Sequence, residues 1–191
     1  MTITLPTLIT LMRILLIPLF MVAFYLPHSW SNIAATVIFA LAAISDWADG
    51  YLARSLQLES AFGAFLDPVA DKLMVVVVII LLVEANPSII IALPSVIIVA
   101  REITISALRE WLAELGSRAT VQVSLIGKFK TAAQMVALGF MIYHDPFLGL
   151  PIFDIGLVVY YIAALLTIIS MVIYLCAAWP VLTQSSQRTS D

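Results

Sequence analysis

Asp46, Asp49, Asp67 and Asp71 fall within 26 residues, in the stretch ISDWADGYLARSLQLESAFGAFLDPVADKL, with long apolar runs on both sides. An ionised carboxylate at membrane depth costs on the order of 2.5–3.5 kcal/mol on insertion scales, so four together need compensating positive charge. Arg54 and Lys72 are the only cations close by in sequence, too few for a salt-bridged helix pair. Asp46 and Asp49 are three residues apart, Asp67 and Asp71 four, and on helices each such pair shares a face. Carboxylate-only ligation suits hard divalent ions, Mg2+ or Mn2+. No cluster of His and Cys competes for zinc. Because Mg2+ keeps several waters, two ions sharing four aspartates fit better than one. Paired ions of this kind clamp the attacking and leaving oxygens of a phosphoryl transfer.

The elements that must position these residues follow from composition and turn chemistry. The chain has 191 residues, 63% hydrophobic and 11% charged, and a mean hydropathy of +1.10. A soluble domain carries roughly 25% charge, and the apolar runs here reach the roughly 20 residues needed to span a bilayer. The expected fold is therefore an all-α integral membrane protein with six transmembrane helices, over about 5–26, 33–53, 62–83, 89–112, 123–143 and 155–175. LPHSWSN, EANPS and HDPFLGLP supply the breaks after the first, third and fifth helices. Residues 1–182 read as one transmembrane catalytic domain and 183–191 as a polar tail. Arg13 interrupts the first apolar run and no small-residue cleavage site follows, so that run does not read as a cleaved signal. A tight connection around Gln57–Ser60 makes the second and third helices antiparallel neighbours, on which both aspartate pairs could converge.

None of the nine basic residues lies in the turns around His28, Glu84 and His144. The positive-inside rule then places both termini, and with them the aspartates, on the cytoplasmic side of the membrane. His28 and His144 sit in the opposite turns, and Trp30, Trp47, Trp111 and Trp179 near helix ends suit interfacial belts. Cys176 is alone, which excludes a disulfide framework. A net charge of −3 gives no reason to expect nucleic-acid binding.

Arg101, Arg109, Lys128 and Lys130 lie at the cytoplasmic ends of the fourth and fifth helices. Arg101 and Arg109 are eight apart, about two turns on one face. Four cations beside a metal-phosphate site suggest a second anionic substrate, a phosphorylated alcohol; choline, ethanolamine or serine would not need so much positive charge. The bland alternative makes these cations topology determinants alone, partly neutralised by Glu102, Glu110 and Glu114 along the helix.

Collected, the pattern reads D-x2-D-G-x2-A-R-x8-G-x3-D-x3-D from Asp46 to Asp71, with every position filled. In this the chain resembles the CDP-alcohol phosphatidyltransferase family. The resemblance implies six transmembrane helices, two metals, a cytosol-facing cavity, release of CMP from a CDP-linked substrate, and a homodimer. It further implies that Asp46 and Asp67 bridge both ions, that Asp49 holds the first and Asp71 the second, and that Asp71 also takes the proton from the acceptor hydroxyl. Gly50, Ala53 and Arg54, with Ser60 as a further polar contact, are expected against the cytidine diphosphate.

PTLITLMRILLIP, FGAFLDPVADKL, AREITISALREW, AELGSR and GKFKTAAQMVAL look like the bacterial branch of that family, seated in the cytoplasmic (inner) membrane, whose substrates are CDP-diacylglycerol and sn-glycerol 3-phosphate. One departure is Thr4, where that branch commonly has Asn ahead of Pro6 and Thr7. Thr7, Thr10 and Arg13 are expected to face the headgroup. The competing readings are a phosphatidylinositol phosphate or cardiolipin synthase of the same family and, from another class, a cation transporter. The transporter reading is disfavoured because no inverted repeat is visible and the carboxylates cluster at one side.

Overall fold

The computed structural model describes residues 5–56, 61–114 and 125–188; within them, the side chains of 5–7, 46–56, 61–65, 67, 68, 71, 113, 114, 125, 126, 128 and 180–188 fall outside the description. The described residues form six helices: α1 (Leu5–Tyr25), α2 (Ser31–Leu56), α3 (Ala61–Ala85), α4 (Ile89–Glu114), α5 (Leu125–Tyr143) and α6 (Ile152–Arg188). All six expected helices are present, and most ends fall within three residues of expectation. The main difference is α6, which runs on to Arg188 through the segment read as tail. TQSSQR contains neither Gly nor Pro, so nothing in it breaks a helix already propagating. Among the described residues, three helices contain stretches long and apolar enough to cross a membrane, Leu8–Tyr25, Ile89–Leu112 and Ile152–Trp179, and Ser31–Ser45 is a shorter apolar run.

Tight turns join α1 to α2, α3 to α4 and α5 to α6 at one end of the bundle. Ser88 caps α4, its Oγ accepting from the Ile90 N–H at 3.3 Å. In the α5–α6 turn His144, Leu148 and Gly149 have φ of 61°, 51° and 80°. Only Gly149 adopts such a backbone without a Cβ penalty, which explains a glycine beside Leu148. Pro94 lies inside α4 and has no N–H to offer the Ile90 carbonyl one turn earlier. The Tyr161 hydroxyl of α6 donates to that carbonyl at 2.8 Å and replaces the lost bond. The next residue, Ser95, meets the Tyr160 hydroxyl at 3.0 Å and donates to the Ile91 carbonyl at 2.7 Å. One proline thus fixes the register of α4 against α6.

The core is an apolar column built from α1 to α6, with Phe20, Ala35, Val78, Ile98, Ala137 and Leu138 fully enclosed. The small residues at α2 and α5 positions let backbones approach where no hydrophobic force draws helices together in lipid. Many large apolar side chains instead face outward, among them Leu15, Ile80, Val96, Val158 and Leu165, as expected of a surface solvated by acyl chains. Among the described residues α2 packs mainly on α1 and α5, and α3 on α1, α4 and α5. The ends of α2 and α3 where the sequence expects direct packing have side chains outside the described residues. Further along, both helices line one cavity.

Candidate functional site

That cavity has a volume of about 1090 Å³ and takes its walls from α1 to α5. Its lining combines apolar side chains, including Phe39, Ala42, Val75, Ile79 and Ile98, with the charged and polar ones of Arg13, Lys72, Arg101, Glu102, Arg109, Glu110, Thr131 and Gln134. An amphiphilic ligand with an anionic head matches such a lining.

The cations are held by specific contacts. Lys130 is 2% exposed and its ammonium pairs with the Glu102 carboxylate across α4 and α5. Arg101 Nη1 reaches the same Glu102 oxygen at 3.0 Å, and its Nη2 donates to Ser170 Oγ of α6 at 3.4 Å. The Arg109 guanidinium stands 5.6 Å from the centre of the Tyr174 ring, a cation–π distance. α6 therefore braces α4 from behind at both arginines. One carboxylate shared by two cations leaves local positive charge in excess, which favours an anion in the cavity. Arg13, also 2% exposed, brings a further guanidinium from α1.

Of the residues singled out by sequence, Arg101 and Arg109 line the cavity, and Lys130 joins them through Glu102. Arg13 lines it too, and Thr10 is buried one turn earlier on α1. Sequence reasoning placed Lys130 in a cationic cluster at the cytoplasmic end of the fifth helix; its burial and its pairing with Glu102 are new. It also passed over Gln134, 4% exposed. The available signal was a carboxamide within TAAQMVAL, a polar group inside an apolar helix and one turn after Lys130.

Asp46, Asp49, Gly50, Ala53 and Arg54 lie on α2, Asp67 and Asp71 on α3 and Lys128 on α5, with side chains outside the described residues. Ser60 and Thr4 lie outside the described residues altogether, and Thr7 has its side chain outside them. The backbone nonetheless bears on the metal expectation. α2 is helical without interruption across Asp46 and Asp49, and α3 across Asp67 and Asp71. The three- and four-residue spacings therefore put each pair of positions on one helix face. Ala42 and Ala43 on α2, one turn before Asp46, and Lys72 on α3, next to Asp71, line the same cavity. Among the described residues no group of His, Cys, Asp and Glu offers an alternative metal site.

His28 and His144 stand at the opposite end, His28 5.5 Å from the Trp30 ring and His144 4.8 Å from the Phe153 ring. Neither approaches the cavity. Cys176 is exposed on α6.

A helical bundle with a cavity of mixed polarity, lined in part by two helices that each carry an aspartate pair, defines a class of membrane-embedded transferase. The chain belongs to the CDP-alcohol phosphatidyltransferase family, whose model matches residues 3–183. It is similar to the CDP-diacylglycerol–glycerol-3-phosphate 3-phosphatidyltransferase of Escherichia coli (strain K12), with 49% identity over 178 residues, 93% of this chain and 96% of the relative. The protein of the same name from Shigella flexneri serotype 5b (strain 8401) matches with the same identity and coverage.

Proposed function

We propose that this protein transfers a phosphatidyl group from CDP-diacylglycerol to sn-glycerol 3-phosphate, giving phosphatidylglycerophosphate and CMP, at the cytoplasmic face of a bacterial inner membrane. The observation that carries the reading is the single cavity that joins the neighbours of both aspartate pairs to a cluster of cations. Half-identity to relatives bearing that activity's name, across nearly the whole chain, supports it.

The residues fit two divalent cations, Mg2+ or Mn2+: Asp46, Asp49, Asp67 and Asp71 are a hard, all-oxygen donor set on two uninterrupted helices. When bound, such ions supply charge neutralisation for the pyrophosphate and lower the pKa of a nearby hydroxyl. Gly50, Ala53, Arg54 and Ser60 bind the cytidine diphosphate, the small residues admitting it close to the α2 backbone. The acyl chains stay in the bilayer. Arg101, Arg109, Lys128 and Lys130 take the phosphate of the acceptor, charge-assisted donors being the strong ones. Asp71 accepts the proton of the acceptor's 1-hydroxyl, whose oxygen attacks the lipid-side phosphorus as CMP leaves. Positioning and electrostatics account for most of the acceleration, as in other phosphoryl transfers.

The test is headgroup analysis with purified protein, CDP-diacylglycerol and labelled acceptors. The expected result is labelled phosphatidylglycerophosphate from glycerol 3-phosphate, abolished by exhaustive chelation and restored by Mg2+ or Mn2+. Product from inositol phosphate or phosphatidylglycerol, with none from glycerol 3-phosphate, overturns the choice of acceptor. Cation flux into liposomes without CMP release overturns the enzyme itself.

A further inference from the structure

Two buried polar atoms of opposite sense line the cavity. The Gln134 carbonyl oxygen and the Arg101 Nε–H have no hydrogen-bond partner among the described residues. Leaving a buried donor or acceptor unsatisfied is costly, about 1–3 kcal/mol each, and native interiors seldom retain one without a ligand or ordered water to meet it. The guanidinium needs an acceptor and the carboxamide oxygen needs a donor. A phosphate supplies only acceptors at neutral pH. A hydroxyl supplies the donor.

The two atoms are also placed in order. Lys130 and Gln134 are four residues apart on α5, hence on the same helix face and about 6 Å apart along its axis. Lys130 and Arg101 share the Glu102 carboxylate, so the cationic site lies at one level and the carboxamide one turn further from the α5 start. That offset is comparable with the distance from the phosphate of a three-carbon phosphate to its middle hydroxyl. The walls beside Gln134 are apolar, including Met135 and Ile98, so water competes poorly for the carbonyl.

We infer that Gln134 is a specificity-determining residue that reads the non-reacting 2-hydroxyl of a phosphorylated polyol, while Arg101 and its neighbours hold the phosphate. The inference rests on the proposed transfer to glycerol 3-phosphate and adds the group that distinguishes this acceptor from a simple hydroxyalkyl phosphate. Gln134 touches neither the reacting oxygen nor the leaving group, so its loss weakens selection and leaves the chemistry available.

The experiment compares sn-glycerol 3-phosphate with 3-hydroxypropyl phosphate, which keeps the phosphate and the reacting hydroxyl but lacks the middle one. The wild-type protein is expected to favour glycerol 3-phosphate in kcat/KM by at least about tenfold, the discrimination of a buried site built for a hydroxyl. In Gln134→Met the ratio is expected to fall to near one, through a higher KM for glycerol 3-phosphate, with the KM for CDP-diacylglycerol unchanged. Gln134→Asn, which keeps a shortened carboxamide, should give an intermediate ratio. Because each ratio is taken within one preparation, the amount of folded protein cancels. A wild-type ratio retained in Gln134→Met overturns the inference and leaves the proposed activity standing. Absence of any product from glycerol 3-phosphate in the wild type overturns the activity and the inference together.

Discussion

Lys130 shows how a charge survives at depth in this bundle. Its long aliphatic stem crosses apolar surroundings and its ammonium ends on Glu102, which Arg101 also engages. Removing one partner of such a buried pair is costly, whereas the intact set is near break-even in stability, so stability alone gives little reason for it; the proposed anionic acceptor does. Asp71 carries the proposed proton transfer. A carboxylate beside a cation holds a proton weakly, so in that proposal it receives one from an already acidified hydroxyl. Asp71→Asn is expected to lower kcat by roughly 10²–10⁴-fold while CDP-diacylglycerol binding, measured by displacement of a labelled analogue, largely survives. Turnover near the wild-type level in that variant would remove the assignment of the base. Arg101 and Arg109 were legible as cavity residues because charge in an apolar run is expensive and therefore conspicuous; the aspartates stand out in the sequence for the same reason, with side chains outside the described residues. Gln134 was not, since a neutral carboxamide in a helix usually means an interhelical bond. Only its burial beside a cavity, without a partner among the described residues, separates the two cases.

At the scale of elements, α5 and α6 pack closely among the described residues, and Gly156 sits where they approach. A Cβ placed there would lie 2.8 Å from Phe140 Cβ and 3.1 Å from the Met141 backbone nitrogen. Neither atom can swing aside, so α5 itself would have to move. Gly156→Ala is expected to cost about 1–3 kcal/mol, the range for overpacking, read as a lower thermal midpoint in detergent. Gly139 supplies the control. Its nearest neighbour would be Phe39 at 4.0 Å, so Gly139→Ala gains helix propensity of up to about 1 kcal/mol with no clash and should leave the midpoint level or raised. The six helices could be foreseen from apolar runs and from the turn residues between them, because the breaks after the first, third and fifth helices contain Pro, Asn or Gly. Their packing partners needed the structure: among the described residues α2 lies on α1 and α5, α3 lies on α1, α4 and α5, and both line the cavity. Helix order is local information, whereas enclosing a space depends on side chains from three further helices, α1, α4 and α5. The end of α6 escaped for the opposite reason: a polar sequence looked like a tail, but helix propagation needs no apolar face.

For the whole molecule, the distribution of basic residues divides the bundle into two unlike ends. The cations and carboxylates gather where α2 meets α3 and α4 meets α5, and the three tight turns occupy the other end. With the basic end in the cytoplasm, a Cys176→Ser protein carrying Ser29→Cys should react with a membrane-impermeant maleimide in right-side-out vesicles. The same background carrying Thr183→Cys should react only after permeabilisation. The reverse pattern would invert the topology and expose the site to the wrong compartment. The turn-bearing end is also laced together by polar bonds. Tyr25 donates to Glu84 at 3.4 Å, Asn32 to Asp145 at 3.2 Å and Tyr161 to the Ile90 carbonyl at 2.8 Å. These ties join α1 to α3, α2 to the α5–α6 turn, and α6 to α4. A bundle gathered at its rim in this way behaves like a purse drawn shut at one end: the helices cannot part there without breaking these bonds, so the rim resists opening whatever enters or leaves the cavity.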